Sequence, residues 1–148
     1  MITDYFSLDG KRALITGAGK GIGARIATAF AEMGADVALV ARTQSDLDAV
    51  ADDVRALGRE AHTFACDVTD EAALTSVVQT LTEAWGSLNI LINNAGAPGK
   101  GYGSLKKVTK ARFENTIDIN LTSAYTLTHL ALPLLKAAPQ GSIVNVSS

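Results

Sequence analysis

A doubly wound α/β fold follows from three features of the chain. Short β-branched runs alternate with longer stretches of helical period, the strand runs are continuously apolar, and the first of them runs straight into a cluster of glycines. Continuous apolar strands suit a parallel sheet covered on both faces. Right-handed crossovers then give the strand order 3-2-1-4-5 most simply. Length and composition agree with this. The chain has 148 residues, 47% hydrophobic and 19% charged, which reads as a single domain over residues 1–148; at about 150 residues folding buries roughly 68–70% of the unfolded surface. The apolar fraction and balanced charge exclude intrinsic disorder. A lone Cys66 excludes a disulfide scaffold and fits a reducing, cytoplasmic setting. The formal charge of -2 argues against nucleic acid as the main partner. No apolar run approaches the ~20 residues of a membrane span, and residues 1–8 carry neither a basic region nor a long apolar core, so no membrane partner and no signal peptide are expected.

Residues 12–16 (RALIT) form the first strand. Ile22, Ile26, Phe30 and Met33 follow about one turn apart and predict a helix buried on that face, stopped by Gly34. Residues 37–40 are the second strand; Leu47, Val50, Val54 and Leu57 mark an amphipathic helix ended by Gly58. Residues 61–66 give the third strand. Asp70 is placed to cap a helix carrying Leu74, Val77, Val78, Leu81 and Trp85, closed by Gly86. After a fourth strand at 88–92 and a Gly/Lys-rich linker at 97–107, a long helix is expected from about Thr109. Phe113, Ile117, Asn120, Ala124, Leu127 and Ala131 line one stripe of it, and it is expected to end near Pro133. Residues 142–146 (SIVNV) are a fifth strand.

The turn after the first strand reads Thr16-Gly-Ala-Gly-Lys-Gly-Ile-Gly23. A phosphate approaching a helix N-terminus there meets unpaired backbone N–H groups and the positive end of the helix dipole. Glycine lets backbone and ligand come close. The spacing G-x-x-x-G-x-G fits from Gly17 through Gly21 to Gly23, whereas G-x-G-x-x-G/A fits only from Gly19 to Ala24. No Walker lysine follows, since G-K-[ST] is absent, which argues against an NTPase loop. The alternative is a tight turn without a ligand. In a dinucleotide-binding Rossmann fold the end of the second strand chooses between a ribose 2′-hydroxyl and a 2′-phosphate. Here that strand ends Val40-Ala41-Arg42 with no carboxylate, so Arg42 and Lys20 are expected to converge on a phosphate; the alternative is two solvated cations. NADP is therefore expected ahead of NAD. His62 and His129 are isolated, and no metal site is expected.

With this glycine turn and Asn93-Asn94-Ala95-Gly96 after the fourth strand, the chain resembles the classical short-chain dehydrogenase/reductase family from about Leu8 to Ser148. The resemblance implies hydride transfer between NAD(P)H and a carbonyl/alcohol pair. It places Gly17, Gly19, Lys20, Gly21, Ile22 and Gly23 along the cofactor, Asp67 and Val68 at the adenine, and Asn94, Ala95 and Gly96 between sheet and cofactor. Asn120 matches the helix asparagine that anchors a water in the proton relay, and its place on the apolar stripe predicts a buried amide. Ser148 matches the serine that polarises the substrate carbonyl; spacing does not separate it from Ser147, but the family's pattern favours the second. The family's Tyr-x-x-x-Lys lies about a dozen residues beyond that serine, past the last residue of this sequence. Tyr102…Lys106 has the spacing but precedes the long helix, the wrong place in the fold. The resemblance therefore predicts a cofactor half, inactive alone, with the fifth strand left as an exposed edge, from a protein that is a homo-oligomer when complete. Alternatives are a noncatalytic dinucleotide sensor and, less well matched, a sugar-nucleotide epimerase. Among small-molecule substrates, 3-oxoacyl thioesters, hydroxysteroids, sugars and secondary alcohols all stay open; Lys100, Lys106, Lys107 and Lys110 make the region after the fourth strand locally basic, which suits an acidic carrier or a solvated loop.

Overall fold

In the computed structural model, which describes residues 5–97 and 105–147, five parallel strands form one sheet in the order β3-β2-β1-β4-β5. They are β1 (Arg12–Thr16), β2 (Asp36–Ala41), β3 (Ala61–Ala65), β4 (Ile90–Asn93) and β5 (Ser142–Asn145). The expected order is the observed one, and the spans differ only at their ends. Alternate side chains feed two cores. Leu14, Val40 and Leu91 pack with Leu74, Leu81 and Leu127 on one face, while Ile15, Leu39 and Ile92 pack with Leu47 and Val54 on the other. β5 is the edge strand, and Ile143, Val144 and Val146 are exposed there.

Among the described residues five α-helices join the strands: α1 (Gly21–Glu32), α2 (Gln44–Ala56), α3 (Glu71–Trp85), α4 (Lys110–Ile117) and α5 (Ser123–Ala137). The predicted ends of α3 hold. The Asp70 carboxylate accepts the Ala73 N–H at 3.0 Å, Gly86 closes the helix at φ 68°, and the five apolar residues expected on its inner face are buried.

Three expectations about helix faces are corrected. In α1 the buried residues are Gly23, Ala27 and Ala31; Ile22 is 64% exposed, and Ile26 and Phe30 are only half-buried. Small residues let the helix lie close on the sheet, and the larger ones flank that contact instead of making it. Leu57, after the last turn of α2, is exposed. The single long helix is broken by a π-helical turn, Asp118–Thr122, between α4 and α5. Its wider turn rotates the stripe, so Leu127 and Ala131 are buried while no residue of α4 or of the π turn is. Phe113, Ile117 and Asn120 are therefore exposed, contrary to the buried amide expected of Asn120.

Pro133 does not end α5, which runs on to Ala137. Proline inside a helix costs about 3 kcal/mol. Burial of Leu134 and Leu135, at about 1.5–3 kcal/mol each, offsets it, and the Leu134 carbonyl accepts the Leu88 N–H at 3.0 Å. Among the described residues no helix is long and apolar enough to cross a membrane, and no three His, Cys, Asp or Glu side chains gather as a metal site would require.

Candidate active site

Two adjoining clefts open at the carboxyl ends of the strands, where β1, β2 and β4 stop at Thr16, Ala41 and Asn93. The first, of about 340 Å³, is lined by Gly17, Gly19, Lys20, Arg42, Asp67, Val68, Ala95 and Gly96, together with Thr43, Asp46 and Cys66. The second, of about 980 Å³, is lined by Ile22, Asn93, Asn94, Asn120, Tyr125, Thr128, Asn145 and Ser147 among others. Ala95, Gly96 and Ala97 form the wall they share. The fold thus gathers most of the expected cofactor residues in one cleft and puts Ile22 and Asn120 in the next. Ser148 and Tyr102 lie outside the described residues.

The glycine turn is held by close contacts that tolerate no side chain. A Cβ on Gly17 would sit 2.9 Å from Asn94 Nδ2, and one on Gly23 2.2 Å from the Gly17 carbonyl oxygen. Gly21 differs: at φ 57° a Cβ there would meet nothing within 4 Å, so its backbone faces open space. No side chain caps α1, whereas Asp70 caps α3 and Thr109 caps α4. The first N–H groups of α1 therefore meet no side-chain cap, as is also true of α2, and with the positive end of its dipole and the open Gly21 backbone they make a donor set that an anion of phosphate size fits.

Behind the turn, the buried Thr16 hydroxyl accepts the N–H groups of Asn94 at 3.0 Å and Ala95 at 2.9 Å. Asn94 Nδ2 donates to the Thr16 carbonyl at 3.0 Å. Together they tie the end of β1 to the segment after β4. Sequence reasoning misses this role of Thr16; its one signal is a polar residue at the last inward position of an apolar strand. Asn120 is exposed but doubly engaged. Its Nδ2 donates to the carbonyls of Ala97 at 3.0 Å and Thr116 at 2.9 Å, and its Oδ1 accepts the Ala97 N–H at 3.3 Å. The Thr116 carbonyl lies four residues before Asn120, so the side chain bonds back one turn from within the π turn. Nearby, Asn93 Nδ2 donates to Asn145 Oδ1 at 2.9 Å and Thr128 Oγ1 at 3.1 Å, while its buried Oδ1 has no partner among the described residues.

One ion pair lies in the wall of the first cleft. Lys20 Nζ lies 3.0 Å from Asp46 Oδ2, a carboxylate in the first turn of α2 that lies outside the β2 end where an acid is ordinarily sought. The Asp67 carboxyl is held below its ordinary range first by the Thr69 N–H, then by the Thr69 hydroxyl, with the Arg42 guanidinium adding to them against partial burial. Burial pushes the Cys66 thiol up, and the carboxylates of Asp67 and Asp70 push it further.

A family model described as short chain dehydrogenase matches residues 11–148. The chain belongs to that family. An uncharacterized oxidoreductase of Mycobacterium tuberculosis is 42% identical over 149 residues, covering all of this chain and 56% of that protein. Among solved structures, a metagenomic short-chain oxidoreductase in complex with NADP superposes with a TM-score of 0.89 at 38% identity, covering 95% of this chain and 63% of that one. A 7α-hydroxysteroid dehydrogenase complexed with NADH and 7-oxo glycochenodeoxycholic acid gives 0.90 at 33% identity, covering 99% and 56%. This short-chain dehydrogenase chain thus spans about half the length of curated relatives that it matches, 42–56% among them.

Proposed function

We propose that residues 1–148 form the dinucleotide-binding domain of an NADP-dependent oxidoreductase acting on a carbonyl or secondary alcohol. The observation that carries this is the uncapped N-terminus of α1 and the open Gly21 backbone beside a cleft whose wall holds Arg42 and Lys20. A bound nicotinamide supplies or accepts the hydride. The chain's residues bind and orient it. Backbone N–H groups from Gly17 to Gly23 hold the pyrophosphate, with Gly19 and Ile22 bordering it. Asp67 and Val68 border the adenine, and Asn94, Ala95 and Gly96 bridge the sheet and the ligand. Arg42, with a fork of donors, and Lys20, as a point charge, take the 2′-phosphate.

Carbonyl reduction builds negative charge on oxygen, which a positioned donor must relieve. Asn120 serves that step at a distance by fixing the Ala97 backbone at the shared wall, where it holds a water of the proton relay, and Ser148 polarises the substrate carbonyl. The NADP-bound oxidoreductase among the related structures supports the phosphate preference, while the NADH-bound steroid dehydrogenase is a case in which the same fold takes the unphosphorylated cofactor.

Replacing Arg42 by alanine tests the reading. Loss of a charge-assisted contact costs about 1.5–3 kcal/mol, roughly ten- to a hundredfold in affinity. NADPH binding should weaken by that factor and NADH binding far less, as measured by titration calorimetry. Equal weakening of both removes the phosphate assignment.

A further inference from the structure

We propose that Asp46 is a specificity-determining residue of the first cleft: its carboxylate competes with a 2′-phosphate for Lys20 and favours a free 2′-hydroxyl, narrowing the preference that Arg42 imposes. This rests on the reading of the cleft as a dinucleotide site. The two partners of the ion pair are unequal. The Asp46 side chain is 24% exposed and the Lys20 side chain 79%, with Nζ and Oδ2 3.0 Å apart. The acid is the fixed member. It sits in the first turn of α2, where the helix dipole favours a carboxylate, and it is wedged against the glycine turn. A Cβ on Gly19 would come within 3.1 Å of Asp46 Cβ and 3.3 Å of Ala41 Cβ, so the acid stands directly beside the end of β2. The lysine is a long, solvated arm able to leave it.

Charge decides what this does to a ligand. Among the described residues the wall of the cleft carries Lys20, Arg42, Asp46 and Asp67, two cations against two carboxylates. Asp67 is already engaged by Thr69. Asp46 is engaged by the cation that the phosphate would use. A phosphate that draws Lys20 away must leave Asp46 unpaired or share one ammonium with it, with two anions brought close together; either way binding is weakened. A ribose 2′-hydroxyl is neutral and donates a hydrogen bond, for which a carboxylate beside the β2 end is a ready acceptor. One side chain thus acts with opposite sign on the two ligands. It supplies, from α2, the acid that β2 lacks.

The test is calorimetric titration of the protein with adenosine 2′,5′-bisphosphate and with adenosine 5′-phosphate, probes that carry no nicotinamide and report no turnover. In Asp46→Asn, which keeps the shape of the side chain, the 2′,5′-bisphosphate should bind about two- to fivefold tighter, the range of an exposed ion pair. The 5′-phosphate should bind no tighter than before, so the ratio of the two affinities rises. Asp46→Ser should move the ratio the same way, and urea midpoints show that both variants fold. A ratio that stays put overturns the proposal while leaving the dinucleotide reading intact. A ratio that falls overturns it in favour of Asp46 as a mere positioner of Lys20. If the unaltered protein takes neither probe, the dinucleotide reading and the proposal fail together.

Discussion

The two clefts at the carboxyl end of the sheet are built by different means. The first is walled largely by backbone and small residues at the ends of buried strands, and its turn is locked by contacts such as Gly23 on the Gly17 carbonyl. The second is walled on one side by α4 and the π turn, which contribute no buried residue and are tied to the sheet side through Asn120 and Ala97. A site made of strand ends is organised by the same burial that folds the protein. A site made by an exposed helix depends on a few polar contacts, each worth about 0.5–1.5 kcal/mol.

Gly23→Ala puts this contrast under the greatest strain. Its Cβ would lie 2.2 Å from one backbone oxygen and 2.7 Å from the adjoining carbon, neither of which can move without moving β1. A loss of about 3 kcal/mol or more in urea unfolding is expected, with loss of dinucleotide binding. At the wall the clefts share, Gly96→Ala meets Asn120 Oδ1 at 2.8 Å, a side-chain atom that can turn aside, and should cost clearly less. Equal costs would erase the distinction between a backbone-built and a side-chain-built site.

Asn120→Leu approaches the same contrast from the other cleft. It removes two hydrogen bonds to Ala97 at the shared wall and one to Thr116 in α4, and none within the glycine turn. If Asn120 serves the relay proposed above, turnover in the complete enzyme should fall roughly tenfold or more, because a misplaced relay costs rate steeply, while dinucleotide affinity stays nearly intact. A variant that only melts earlier at unchanged turnover would make Asn120 purely structural.

A milder effect is expected at Cys66, the single thiol, in the wall of the first cleft. Its pKa is raised, first by burial and then by Asp67 and Asp70, so at a fixed pH near 8 less thiolate is present than in the unfolded chain. Alkylation of the native protein should be severalfold slower than in urea, should recover as pH rises, and should slow again when a dinucleotide fills the cleft. A native rate equal to the unfolded one would mean that the wall is open at this point.

Much of this architecture is legible in the amino-acid sequence. The glycine turn, the cap at Asp70, the stop at Gly86 and the strand order follow from signals a few residues long: φ-permissive residues after apolar runs, an acid before a helix, and continuous strands that demand helices on both faces. Periodicity misjudges α1, because it weighs large apolar residues, and the close approach to the sheet selects Gly23, Ala27 and Ala31 instead. It also carries the stripe of α5 back through Asn120, since a π turn leaves no mark in apolar spacing.

Local backbone chemistry therefore governs the sheet, its connections and the place of the phosphate-sized turn, and each can be read along the chain. The meetings of Asp46 with Lys20, of Thr16 with Asn94 and Ala95, and of Asn120 with Ala97 arise only when the chain is folded. Those pairs lie from 23 to 79 residues apart in sequence and join separate elements, and no local pattern encodes which polar groups burial will leave facing each other.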